Sequence, residues 1–165
     1  MSTGATPSRE SLPYPDADLR VHPPRNAREQ LGGLVFLPRT VDKVRAKLQG
    51  TLGFYKVGPG LSTRLFEWIG VTEEDFTQAV RDAKSDDDVA EYIRTHCDTT
   101  TFAEINQRLL ERGIRDDEQF AEVLPRYPVL RDYPQLRNWF EILETDDRWS
   151  FDPANAEKVK STAAS

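Results

Sequence analysis

Cysteine is nearly absent. The 165-residue chain holds one, Cys97, so no internal disulfide can form and a reducing compartment fits. Histidine is almost as scarce, with only His22 and His96. His96 and Cys97 are adjacent, and neighbours in a helix point about 100° apart. That suits neither a zinc pair nor a cysteine–histidine nucleophile pair. Long hydrophobic runs are missing too. Nothing approaches the roughly 20 apolar residues of a membrane span, and no apolar stretch follows a basic start as in a secretory leader. There is no P-loop, dinucleotide glycine fingerprint or G-x-S-x-G elbow. No segment alternates apolar and polar residues convincingly, and no repeat has a fixed period. The absences lead to an expectation of a cytoplasmic all-α protein with no metal, no cofactor and no membrane partner.

The chain has material for a core. Hydrophobic residues make up 38 %, and three Trp and eight Phe supply bulk. One domain is expected, with residues 1–20 as a flexible arm, 21–150 as the helical body and 151–165 as a flexible tail. Asn26 caps a short helical turn ending near Gly32-Gly33. Leu37, Val41, Val44 and Leu48 recur at helical spacing, with Pro38 at a first helical position and Gly50 as the stop. Leu61 to Ile69 is a second helix, ended by Gly70. Thr72 opens a third, to about Ala83, and Ser85 a fourth, to His96. Thr101 with Glu104 makes a capping box for a fifth, ending at Gly113. Asp116 to Leu124 is a sixth, and Pro134 to about Thr145 a seventh. Short connections predict an irregular bundle of six or seven helices. The acidic triplets Glu73-Asp75, Asp86-Asp88 and Asp116-Glu118 each open a helix, where carboxylates complement the macrodipole. None has the ligand spacing of a calcium loop.

The net charge of −6 hides an asymmetry. Arg20 to Glu67 carries +6, residues 1–19 carry −2, and the remainder carries −10. Either the basic part docks on the acidic part, or it meets an anion or a nucleic-acid backbone. On the first long helix Arg39 lies opposite the apolar stripe, Lys43 on one flank, and Arg45 at the stripe's edge beside Asp42. Asp42 and Arg45 are three apart and can pair. Asp42 then either borders the core structurally or aims Arg45 at a carboxylate or phosphate, which arginine grips at two points.

The run from Pro23 to Val71 contains Pro24-Arg25, Leu31-Gly32-Gly33, Leu37-Pro38-Arg39, Asp42-Lys43, Arg45-Ala46, Leu48, Gly50-Thr51, Gly53 and Tyr55, then Leu65-Phe66 and Gly70. It resembles a family of short bacterial proteins catalogued as a domain of unknown function. The resemblance covers about a third of the chain. It implies a helical fold and a bacterial cytoplasmic setting, and it carries no activity. After Tyr55, relatives have a polar or cysteine-containing stretch, where this chain has Val57-Gly58-Pro59-Gly60.

The stretch GTLGFYKVGPGL, residues 50–61, therefore holds the interest. Gly58 and Gly60 before a helix, with Arg64 after, faintly resemble a helix-hairpin-helix phosphate nest, but Pro59 removes one amide donor. The plain alternative is a turn that packs Tyr55. The expectation is a small anionic ligand, or an acidic group of a partner, held near the first helix and this loop by Arg39, Asp42, Lys43, Arg45, Tyr55, Lys56 and Arg64. A small-molecule enzyme in the same place, with Asp42 or Tyr55 moving a proton, is the second reading. A nucleic-acid binder through the basic segment is the third.

Overall fold

Two glycines decide how the ordered body begins. Gly32 and Gly33 have φ of 60° and 89°. Two consecutive left-handed residues make the tight turn that matches the twist of a two-stranded ribbon. They join β1 (Gln30–Leu31) to β2 (Leu34–Val35), antiparallel, with Leu31 opposite Leu34 and Gln30 opposite Val35. Asn26 does cap one turn, accepting from Arg28 N at 2.8 Å. The expected helical stretch is instead this hairpin, because a Gly-Gly pair with positive φ turns a strand back rather than ending a helix.

The computed structural model describes residues 11–163. Nine helices follow the hairpin among the described residues. They are α1 (Leu37–Gln49), α2 (Leu61–Ile69), α3 (Glu73–Asp82), α4 (Asp86–His96), α5 (Phe102–Glu111), α6 (Asp117–Val123), α7 (Val129–Asp132), α8 (Trp139–Ser150) and α9 (Ala156–Ala163). The fold is mostly helical. The hairpin and the additional helices α7 and α9 correct the expectation of an all-α bundle of six or seven. No helix among the described residues is long and apolar enough to cross a membrane.

Several local signals act as read. Gly50 and Gly70 end α1 and α2 in the left-handed conformation. Thr72 accepts from Asp75 N, and Asp116 from Gln119 N. Others give way to different partners. Thr101 makes no side-chain cap to α5; Asp98 instead caps the single 3-10 turn Thr99–Thr101. The last long helix starts five residues after Pro134, at Trp139, because Asn138 accepts from Phe140 N and Glu141 N.

Residue Phe36 turns the chain sharply from β2 into α1 with φ of 71°. A bulky residue in that region costs about 1–2 kcal/mol. The corner is held on both sides. Phe36 N donates to Ala27 O at 2.9 Å, and both the amide and hydroxyl of Thr40 donate to Phe36 O at 3.0 Å. The ring stacks on Phe140 of α8, centroids 5.7 Å apart.

Helix α1 lies at the centre of the molecule. Leu37, Val41 and Val44 face the main core with Leu65, Phe66, Phe76, Ile93, Leu109 and Phe140. A smaller core of Ile114, Val123, Val129, Leu130, Ile142 and Trp149 packs the C-terminal helices. A third, of Leu19, Ala46 and Tyr55, covers the far side of α1. Residues 1–10 of the expected arm lie outside the described residues. Its described part is docked: Leu12, Ala17 and Leu19 are buried, and Gln49 of α1 bonds to Tyr14 N and O. The expected tail contributes Phe151, which packs on Phe54 and Tyr55.

Candidate functional site

Covering α1 on most of its surface buries part of its polar flank as well as its apolar one. Arg39 and Lys43, one helical turn apart, point from α1 toward α8. Their burial reaches 1 % and 9 % residual exposure, respectively. Such groups normally remain in water or are paired.

Arg39 is paired. Its two terminal nitrogens donate to the carboxylate of Asp147 on α8, at 2.7 and 3.1 Å. The hydroxyl of Tyr55 donates to the same carboxylate at 2.7 Å. Burial opposes the guanidinium charge, but the Asp147 bonds outweigh it and hold the Arg39 pKa above its ordinary value. Burial, reinforced by the negative Asp147, pushes the Tyr55 phenol far above its usual range. One nitrogen of Arg39, Nε, is buried and has no hydrogen-bond partner.

Lys43 makes no hydrogen bond or ion pair among the described residues. Its amine sits against two aromatic faces, 5.8 Å from the Phe36 centroid and 6.0 Å from that of Tyr55. Burial, with the positive Arg39 beside it, lowers its pKa from 10.5 to about 7. Asp146, next to Asp147 on α8, moves the opposite way. Burial and the negative charge of Asp147 raise its carboxyl to about 7, and its one hydrogen bond comes weakly from Ser150 at 3.4 Å. Tyr127, also pushed up by burial, closes the cluster. An amine and a carboxyl that both titrate near neutrality thus share one enclosed site, a pattern concentrated at functional centres.

The seven residues expected to form one site are divided into three groups. Arg39, Lys43 and Tyr55 converge on Asp147 and Asp146. Asp42 and Arg45 lie on another side of α1 and do not pair with each other. Asp42 accepts from Arg25 through its backbone amide at 2.9 Å and its guanidinium at 3.0 Å. Arg45 donates to Asp86 at 3.0 Å, and Arg25 bridges to the same Asp86 at 2.6 Å. The acid at the start of α4 therefore does more than complement the helix dipole: it ties α4 to α1. Lys56 is exposed. Arg64, half exposed, pairs with Glu67 at 3.2 Å.

Of the nine cations from Arg20 to Arg64, seven form ion pairs within 4 Å: Arg20, Arg25, Arg28, Arg39, Arg45, Lys47 and Arg64. Five of those reach acids beyond residue 72, namely Glu73, Asp86, Glu144 and Asp147. The basic segment is docked on the acidic one. Among the described residues Lys43 and Lys56 are the two left without an ion pair, and only Lys43 is buried.

Sequence reasoning missed Asp146, Asp147 and Tyr127. One signal was present. Asp146 and Asp147 fall in the last turn of a helix, between Leu143 and Trp149, where the dipole disfavours carboxylates. Acids there imply a cation from elsewhere.

Two other features lie apart from this cluster. A surface depression of about 470 Å³ between α3 and α4 is lined by Asp75, Gln78, Asp82, Asp88, Tyr92 and His96. Its acidic rim is opposite in character to the expected anion site. Burial raises the Cys97 thiol pKa, which is the reverse of activation. No group of three or more His, Cys, Asp and Glu among the described residues is arranged to hold a metal ion.

No curated protein matches the chain. A family model described as a domain of unknown function, DUF5069, matches residues 21–149. That span takes in the hairpin, α1, the loop after it, and α8 with both Asp146 and Asp147, and the chain belongs to this family.

Proposed function

We propose that the protein binds a small anionic molecule between α1, the 51–60 loop and α8, with Lys43 as its counter-charge. The observation that carries this reading is Lys43 itself, nine-tenths buried and with no hydrogen bond or ion pair among the described residues. A buried amine without a direct ion pair is destabilising, and proteins keep such groups where function needs them. Arg39 Nε, one turn away, is a fully buried donor with no hydrogen-bond partner among the described residues. With its carboxyl raised to about 7, Asp146 can hold a proton at neutral pH and donate it to an anion. The one half-buried free cysteine fits a reducing, cytoplasmic setting.

The acid–base roles first considered for Asp42 and Tyr55 have less support. Asp42 is gripped by Arg25, and the Tyr55 hydroxyl is committed to Asp147. The nucleic-acid reading has little cationic surface to draw on, since seven of the nine basic residues are already paired.

The test is a thermal-shift titration with L-lactate, succinate and inorganic phosphate, on wild type and Lys43→Met. At least one of these should raise the melting temperature of wild type and leave Lys43→Met unmoved. Equal shifts in both proteins, or none in either, would overturn the reading.

A further inference from the structure

We infer that Lys43 forms an imine with the carbonyl carbon of a small oxo acid held at this site. The inference rests on the anion-binding reading, and it adds a reaction to it.

Geometry carries it. A lysine that only neutralises an anion works best as a hydrated, freely rotating point charge. Lys43 is the opposite case. Its amine lies against the faces of Phe36 and Tyr55, and the residue as a whole keeps 9 % exposure. Two aromatic walls suit a flat group such as a carbonyl. Phe54 and Phe151 back the Tyr55 ring at 4.8 and 6.4 Å between centroids, so that wall is itself supported. Arg39 lies one helical turn away, and its Nε, without a hydrogen-bond partner among the described residues, would take the carboxylate while the carbonyl reaches Lys43. Such a ligand uses the Arg39 Nε donor and the Lys43 amine at once. An amine desolvated among apolar faces and beside another cation is the arrangement that activates lysine as a nucleophile.

Asp146 supplies the proton traffic. The Nζ lone pair forms the C–N bond while the carbonyl π pair moves to oxygen, which takes the proton of the Asp146 carboxyl. The resulting ammonium returns one proton to the Asp146 carboxylate, leaving a neutral carbinolamine. Asp146 then protonates the hydroxyl, the C–O bond breaks, and water leaves. The products are a protonated imine, the Asp146 carboxylate opposite it, and one water. No other reactant is needed.

The experiment uses the full chain at pH 7 with pyruvate or glyoxylate, trapped by borohydride and mapped by peptide mass spectrometry. L-lactate serves as the match without a carbonyl. We expect an adduct at Lys43 at least tenfold above that at exposed lysines such as Lys47 and Lys56, and none at that site in Lys43→Met. Asp146→Asn should slow trapping about tenfold while circular dichroism and melting report an intact fold. Trapping at Lys43 no faster than at exposed lysines overturns the imine. If L-lactate still stabilises wild type but not Lys43→Met, the anion reading survives that loss. If L-lactate, succinate and phosphate all fail as well, both fall together.

Discussion

Replacing Asp147 with alanine removes one carboxylate and leaves three donors behind. Two terminal nitrogens of Arg39 lose partners at 2.7 and 3.1 Å, and the Tyr55 hydroxyl loses one at 2.7 Å. Arg39 has 1 % exposure, so water cannot replace what is lost. Breaking a buried ion pair from one side costs about 3–5 kcal/mol, because a charge remains without compensation. For a chain of this size, each kcal/mol moves the melting temperature by about 2–4 °C, so the loss should be about 6–20 °C. Urea unfolding followed by tryptophan fluorescence measures the same quantity independently. The double substitution Arg39→Met with Asp147→Leu should recover most of the loss, since apolar residues of similar volume replace such pairs at little cost. Arg94→Ala, which breaks the exposed pair with Glu91, should barely move the midpoint. A loss below about 1 kcal/mol for Asp147→Ala would mean that Arg39 finds water or another acceptor, and would refute the enclosed site on which both proposals stand.

Lys43→Met should stabilise the protein, with a pH signature. Burial lowers the Lys43 pKa from 10.5 to about 7, against the pull of Asp146 and Asp147 and with the push of Arg39. The folded state therefore disfavours the charged amine: the cost is fully present below pH 7 and fades as pH rises toward 10.5. The gain in melting temperature should be largest near pH 6 and smallest near pH 10; a pH-independent gain would contradict the assignment. Binding of L-lactate should weaken as pH rises through 7, because an anion favours both charged Lys43 and protonated Asp146; calorimetry at pH 6 and pH 8 reads this, and equal affinities would count against it. Gly113→Ala should destabilise by about 1–3 kcal/mol in thermal unfolding. A Cβ there would lie 2.6 Å from Arg137 O, in the backbone pairing that joins the end of α5 to the start of α8.

The legible parts of the fold were those governed by local chemistry. Gly50 and Gly70 stop helices because only glycine adopts the left-handed stop without strain, and Thr72 and Asp116 start them by meeting a free amide. The hairpin was hidden because strands of two residues leave no room for alternation. Half of the cluster was legible in α1: Arg39, Lys43 and Tyr55 do meet. The other half was not, because sequence spacing along one helix says nothing about what crosses it. Asp42 stands three residues from Arg45 yet binds Arg25, seventeen residues away, since the entry segment folds back over α1. Asp147 and Arg39 are separated by 108 residues, and only packing brings them together.

That separation has a consequence for synthesis on the ribosome. At about 5–20 residues per second, roughly 5 to 20 s pass between the making of Arg39 and of Asp147. By the later part of that interval α1 has gained its apolar partners from α2 to α5 but not the carboxylate that neutralises its arginine. The nascent chain therefore carries a cation with no buried place to go. Helix α1 must either wait unpacked on that flank or expose it to the ribosome's surroundings until the last long helix emerges. Chains ending before residue 147 should consequently be held by chaperones far more than chains that end just after it.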